Sequence, residues 1–491
     1  MSKKVVVIGL LIIALLAISG LVIGQGLPGS GWLSGQQILN TGTGNSTILF
    51  TAYNQDGTSY DCGSKNAVPG ASVNYLTNNC PGLPAGFLGS GVVSADQPIA
   101  AIVNVTNEGA GTASGQYVGT DGADTSQSLS FPLMKNGWVG RTTHFYIQNA
   151  GSSPATIKAT ATDQNGVTYP TSGTPYEVTA PANAMVVIEP SQLGVPASRY
   201  GSLAVSADQL LAGSMLESET SVPVAQNLNA SKGLSDNDYD GVVFCPMVRN
   251  GWGAEGFGTG LQVINVSGAP QTIKVEYSYQ VGSVAAPVQK KTVTTPSVAD
   301  GASFNLLSSN ATYGIPANSL GSAKVTGNSG NVAALVSDEG FNTSNPYNVA
   351  TYTCFPQKGA STTVYAPLYK QDWIGDTSGI QIQNVAGDGS TATVEVKYTV
   401  TGSNATGNAG DVVVLSNTSG IADGASVAFF NADQCGSASP ADCTVVSGTM
   451  SDLTKSYGGV VITSDKPIVA LVNEVGFGSG LDSKLYEGFG D

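Results

Sequence analysis

The stretch YIQNAGSSPATIKATATDQNG, Tyr146–Gly166, decides how this chain is read. A short apolar run ends at Asn149, the chain turns through AGSSP, and TIKATAT follows before DQNG. In TIKATAT apolar and polar residues alternate, the period of a strand with one buried face. DQNG is the residue chemistry of a turn. The same pattern lies 109 residues upstream, where TILFTAYNQDG, Thr47–Gly57, is in phase with TIKATATDQNG from Thr156. TIKVEYSY from Thr272 and TVEVKYTV from Thr393 return to it. The asparagine ahead of each strand recurs as Asn40 in QILN, Asn149 in YIQN, Asn265 in QVIN and Asn384 in QIQN.

Working outward, other marks keep the same phase. Trp32, Trp138, Trp252 and Trp373 precede the four asparagines, and one buried tryptophan per unit is the expectation. Pro132, Pro246 and Pro367 stand six residues before the last three tryptophans, while the first unit has only Leu27 and Pro28. Its opening strand therefore reads as cut off by what precedes it. GAS recurs at Gly70, Gly301 and Gly424. An apolar strand closes each unit (PIAAIVNV, LLAGSMLE, VAALVSD, PIVALVNE), followed by Tyr117, Tyr239, Tyr347 and Tyr486. The C-terminal EGFGD reads as the start of a further unit.

Self-similarity at this period means repeated units, each long enough to bury its own core. Short β-branched runs divided by turn residues, with no amphipathic helix after residue 24, give an all-β protein. The expected architecture is four tandem immunoglobulin-like β-sandwich repeats after an N-terminal signal peptide or anchor helix. The divisions are 1–24 for the leader or anchor, then 25–118 with a truncated opening strand, 119–238, 239–350 and 351–491 for the repeats.

The run from an apolar strand through Asn-x-Gly to Thr-Ile resembles the immunoglobulin-like repeats of bacterial and archaeal surface proteins. It is similar in particular to the cell-adhesion-related domain of bacteria. The third and fourth units depart from the motif with NVSG and NVAG. The resemblance implies an extracellular stalk, adhesion or assembly role and no catalytic residue.

Lys3 and Lys4 precede an uncharged apolar run from Val5 to Gly24, the layout of a signal peptide cut after Gly24. The run also has the length of an uncleaved membrane anchor, the one membrane contact expected. Both readings put residues 25–491 outside the cell. The six cysteines agree: they form no CxxC pair and have no histidine cluster beside them, so disulfides are expected. Cys62–Cys80 and Cys435–Cys443 would close short loops, leaving Cys245 with Cys354.

Composition excludes whole classes. Of 491 residues only 11% are charged and one, His144, is histidine, which removes multi-histidine metal sites and disfavours a Ser-His-Asp triad. A net charge of −15 speaks against nucleic acid. DNDYDG, with Asp236, Asp238 and Asp240, fits the first half of a calcium loop, the one cofactor considered, but Met247 stands where a bidentate glutamate belongs. A solvated linker is the plainer reading. Glu217, Asp338 and Glu474 share one phase at strand ends, with Val105 in the first unit, and read as solvent-facing. His144 reads as a surface or packed side chain.

The expectation is a non-catalytic extracellular structural protein that self-associates into a stalk, sheath, surface layer or filament. The alternative is an adhesin or carbohydrate-binding module that grips a surface glycan or a protein.

Overall fold

The computed structural model describes residues 14–21, 27–107, 113–219, 225–340, 349–430, 443–476 and 483–490. These residues form an all-β protein of several sheets, its helical residues confined to short 3₁₀ turns. The first strands are β1 (Ala14–Leu21), β2 (Trp32–Asn40), β3 (Ser46–Asn54), β4 (Ser59–Ala67) and β5 (Ser72–Leu76). β6 (Gly89–Ala95), β7 (Ile99–Asn107), β8 (Ser114–Val118) and β9 (Thr120–Asp121) follow. They make two sheets, ordered β4-β3-β6-β1-β9 and β5-β2-β7-β8, with a buried apolar cluster that includes Ile38, Phe50, Val93 and Val103.

The second group holds β10 (Ser126–Asn136), β11 (Arg141–Asn149), β12 (Ala155–Asp163), β13 (Thr168–Tyr169), β14 (Tyr176–Ala180) and β15 (Met185–Ile188). It ends with the long β16 (Arg199–Glu219) and β17 (Leu228–Lys232). The first half of β16 pairs with β12 and β10, its second half with β11 and β17, so one strand crosses both layers.

The third group holds β18 (Val242–Trp252), β19 (Phe257–Asn265), β20 (Ile273–Val281), β21 (Gln289–Thr294) and β22 (Ser303–Leu307). It continues with β23 (Ser319–Gly327), β24 (Val332–Gly340), β25 (Val349–Thr353) and β26 (Phe355–Pro356). The fourth holds β27 (Ser361–Gln371), β28 (Asp376–Asn384), β29 (Ala392–Ser403), β30 (Val412–Ile421) and β31 (Ser426–Phe430). It closes with β32 (Cys443–Ser447), the long β33 (Ser456–Gly476), β34 (Ser483–Glu487) and β35 (Phe489–Gly490).

The in-phase residues of the sequence have structural causes. Asn40, Asn149, Asn265 and Asn384 are all fully buried at the ends of nine-residue ladders. Each amide latches a turn. Asn265 Nδ2 donates to Ala269 O (2.7 Å) and Val298 O (2.8 Å), while Oδ1 accepts from Ser267 N (3.0 Å). Asn40, Asn149 and Asn384 make the same set of bonds, to Ala67 O, Ala180 O and Ile421 O among others. A buried amide with both ends satisfied fixes a loop that would otherwise bury unpaired carbonyls.

A second device is a bulge in each opening strand. The register skips a residue between Phe131 and Met134, Cys245 and Val248, and Ala366 and Tyr369. Pro132, Pro246 and Pro367 sit in these bulges, where the missing N–H costs no ladder bond. Opposite lies a glycine: Met134, Val248 and Tyr369 face Gly201, Gly321 and Gly458. A Cβ there would lie 1.9, 2.1 and 2.0 Å from a carbonyl of the adjoining strand, so no other residue fits.

The groups do not stand apart. β8 packs against both β17 and β34, and β25 packs against the same two, so the four strands close a ring. Ser202 Oγ donates to Gly301 O and Ser322 Oγ to Gly424 O, each 2.7 Å, and Ser90 Oγ donates to Asn183 O. At the fourth junction the in-phase residue is Gly459, whose Cβ would lie 3.1 Å from Gly70 O, and Ser72 Oγ donates to Pro367 O (2.7 Å). The first and last groups therefore meet directly. Apolar residues of one group complete the core of another: Ile102 and Val118 that of the fourth, Leu335 that of the second, Leu485 that of the third.

Several sequence expectations are corrected. The C-terminal EGFGD does not begin a new unit: Phe489 and Gly490 form β35, which pairs with Tyr365 and Val364 of β27. The in-phase tyrosines are Tyr117, Tyr352 and Tyr486, opposite Val103, Val336 and Val472, with Ser231 in the second group. Tyr239 lies outside β17, and Tyr347 lies outside the described residues. Disulfides join Cys62 to Cys80 and Cys245 to Cys354. The second ties the opening strand of the third group to the residue before β26. Cys435 lies outside the described residues, and Cys443 begins β32.

Candidate functional site

The opening strand of the first group is supplied by the apolar N-terminal run. β1 pairs antiparallel with β6, Ala14 opposite Ala95 through Ile18 opposite Gly91, and on its other edge with β9, where Leu16 and Ala17 face Asp121 and Thr120. The register skips between Ile18 and Leu21, and Leu21 faces Gly89. This is the bulge and glycine of the other three opening strands, with Ser19 in place of proline. A Cβ on Gly89 would lie 2.0 Å from Tyr53 O. The expectation of a cut-off first strand is thus corrected: the strand position exists and is filled.

Closing strands meet the opening strands at one level. Thr120 faces Ala17, Leu234 bridges Ser130, Phe355 faces Phe244 and Phe489 faces Tyr365. Leu129 and Phe131, Val243 and Cys245, and Val364 and Ala366 are buried at the two alternate positions whose places Leu16 and Ile18 take in the first group.

The in-phase acids are not solvent-facing. Glu217, Asp338 and Glu474 are buried to 1% exposure or less, each against a basic residue of its opening strand. Lys135 Nζ lies 3.0 Å from Glu217 Oε1, which also accepts from Asn229 Nδ2 (2.9 Å). Arg249 grips Asp338 with Nε and Nη2, with its guanidinium 3.8 Å above the Phe257 ring. Lys370 Nζ lies 2.9 Å and Lys484 Nζ 3.0 Å from Glu474 Oε1. Burial disfavours the Glu474 charge, but the two ammonium groups outweigh it and hold the carboxyl down to about 2. The sequence carried a signal for these partners that was missed: each basic residue stands three places after the bulge proline. One residue after Leu21 the sequence has Val22, and the acid position holds Val105, so in the first unit both members of the pair are apolar.

The tryptophans divide. Trp32 is buried in β2, at 1% exposure. Trp252 is half-buried and packs against the apolar cluster of the third group, whereas Trp138 and Trp373 are half-buried outside any core cluster, which corrects their assignment to the core. The ladders explain it: Trp32 faces Asn107 within β2, where β11 has Arg141, β19 has Phe257 and β28 has Asp376. Trp138 and Trp373 lie instead on the turns between opening and second strands, their rings tilted by 51° and 48° against Tyr200 and Tyr457 with centroids 4.8 and 4.7 Å apart. A cleft of about 300 Å³ between the first and fourth groups is lined by Gln36, Asn104, Lys370, Trp373 and Tyr457.

Asp236, Asp238 and Asp240 do not converge. Asp236–Asp238 is a 3₁₀ turn in which Asp238 Oδ2 accepts from Ser235 N (2.9 Å) and Oδ1 from Lys232 Nζ (2.6 Å). Asp240 Oδ2 accepts from Lys358 N (3.0 Å). Among the described residues no group of three or more His, Cys, Asp or Glu could hold a metal ion. His144 is buried in β11 with Nε2 3.8 Å from Glu189 Oε1, and burial pushes its pKa down. Among the described residues no helix is long and apolar enough to cross a membrane. Two disulfides fit an oxidising, extracellular setting.

No family model and no curated protein matches the sequence. Among solved structures, one of Thermotoga maritima 1070 matches at 17% identity, over 23% of this chain and 95% of its own, with a TM-score of 0.19. Infectious bursal disease virus Gx strain matches at 9% identity, over 90% of this chain and 78% of its own, with a TM-score of 0.10. At these scores neither bears on fold or function.

Proposed function

We propose that this chain is a non-catalytic structural protein of the cell exterior, and that its groups of strands are four tandem immunoglobulin-like β-sandwich units. The observation that carries the reading is what becomes of the in-phase acids. Glu217, Asp338 and Glu474 each bind a lysine or arginine of their own unit in a dry interior. Carboxylates so neutralised are framework, not acid–base groups in a cleft.

The closed ring of β8, β17, β25 and β34 favours a block over a string of beads. That narrows the expected role from a stalk to a subunit of a sheath, surface layer or filament. Negative-stain electron microscopy of the purified chain tests it, with and without calcium. Ordered filaments or sheets are expected; dispersed single particles at every concentration would overturn the structural role.

The cleft at Trp373 supports a second reading, a glycan-binding surface protein. Two adjoining aromatic rings beside amide and ammonium donors suit a sugar face and its hydroxyls. Saturable binding on a glycan array that is lost in Trp373→Ala would favour it.

A further inference from the structure

We propose that the groove between β6 and β9 is a strand-acceptor site, and that in the assembled protein it takes residues 14–21 of a second copy of this chain. The proposal rests on the polymeric reading above and names the contact that would build the polymer.

The groove needs an occupant. β1 lies between β6 and β9 with both edges paired. Without it, β6 from Gly89 to Ala95 would present a row of unpaired backbone groups beside the buried Val93. Such an edge recruits the next available strand.

The segment fits the groove in detail. It carries the register skip of the three other opening strands, and its Leu21 faces the one residue type that the bulge tolerates, Gly89. Val22 and Val105, which hold the basic and acidic positions by their place in the sequence, make the same point. Where the opening strand lacks its basic residue, the facing strand lacks its acid. An N-terminal strand followed by Val22 is thus matched to this unit and not to the other three, whose acids would each lose the basic partner that their own opening strand supplies.

The attachment of the strand sets it apart. From the bulge residue to the start of the second strand the chain runs from Met134 to Arg141, Val248 to Phe257 and Tyr369 to Asp376 in the later units. In the first it runs from Leu21 to Trp32, and the ten residues between include Gly24, Gly26, Gly29 and Gly31. A short hairpin holds its own strand in place. Leu27 is buried in the core of its own unit, and the six residue steps from Leu21 to Leu27 can span up to about 20 Å, enough for the strand to be offered to a neighbour. Each copy then gives one strand and takes one. The contact is heterologous, so it propagates head to tail without closing.

The test places one cysteine in each of two differently tagged full-length chains, Ala17→Cys in one and Val92→Cys in the other; these residues face each other in the β1–β6 register. The chains are mixed and oxidised. Disulfide-linked pairs carrying both tags are expected to take up about half of the chains in an evenly mixed assembly, and reduction should release them. A link that forms only when both cysteines are in one chain would overturn the exchange. In a second arm, the full-length chain is offered an excess of a labelled synthetic peptide of residues 12–24. One-to-one binding is expected, with at least tenfold weaker binding of the Leu16→Asp, Ile18→Asp peptide. Equal binding of both peptides, or of neither, would overturn the acceptor site. Polymers in the microscope without two-tag links would sink this proposal and leave the structural role standing; absence of polymers would sink the role itself.

Discussion

Glu474 lies at 1% exposure with its Oε1 2.9 Å from Lys370 Nζ, one strand drawing its counter-charge from the strand that opens the same unit. The pair fixes the opening strand across the bulge at Pro367.

Acid should release that stabilisation. In the fold the Glu474 carboxyl is held down to about 2, against 4.5 in the unfolded chain. A depressed folded pKa gives stability that is present above the unfolded value and lost as pH falls toward the folded one. Melting temperature followed from pH 7 to pH 2 should therefore drop more in the native chain than in Glu474→Gln. Parallel curves would show that the pair contributes nothing.

The Arg249–Asp338 pair should behave as an all-or-nothing unit. Asp338→Val alone leaves a buried guanidinium without its partner and should cost about 3–5 kcal/mol. Arg249→Leu with Asp338→Val imitates the apolar Val22 and Val105 of the first unit and should recover most of that loss. Denaturant unfolding of the single and double variants checks it; a double variant worse than the single would contradict it.

Asn265→Ala removes the donor to the buried Val298 O, a second donor to Ala269 O and the acceptor for Ser267 N. The expected cost is about 2–3 kcal/mol, since unsatisfied buried groups carry their full desolvation penalty. Urea unfolding measures it. A loss under about 0.5 kcal/mol would mean that the latch is decorative.

Trp138→Ala should cost about 1–2 kcal/mol, the worth of a half-buried ring packed against Tyr200, and not the roughly 3–5 kcal/mol of a core tryptophan. Trp32→Ala, fully buried, should reach the larger figure. Equal losses would contradict the division between the two sites.

Strands and turns were legible because alternation and turn residues are local. TIKATAT reads as β12 without any knowledge of its neighbours. The asparagines were legible as a period, though only the fold shows that they latch carbonyls about 30 residues away. The ion pairs were not, because Lys135 and Glu217 stand 82 residues apart and a lone acid on a strand looks the same whether it faces water or a lysine. β1 was hidden for another reason: ALLAISGL has the composition of a leader, and apolar content alone does not separate a membrane segment from an interior strand. The tryptophans mislead because an equal count per unit does not fix an equal position: Trp32 lies within β2 and Trp138 on a turn. Closure of the ring left no trace in a unit-by-unit reading, since its contacts join residues such as Ser72 and Pro367, 295 apart.

Small-angle X-ray scattering of the monomeric fraction tests the central claim most directly. Groups of strands closed through β8, β17, β25 and β34 should give a radius of gyration near that of one compact 491-residue body, about 23–26 Å. Four units strung in a line would give about 40 Å. The smaller value supports a block-like subunit; the larger would contradict the closed ring and restore the stalk.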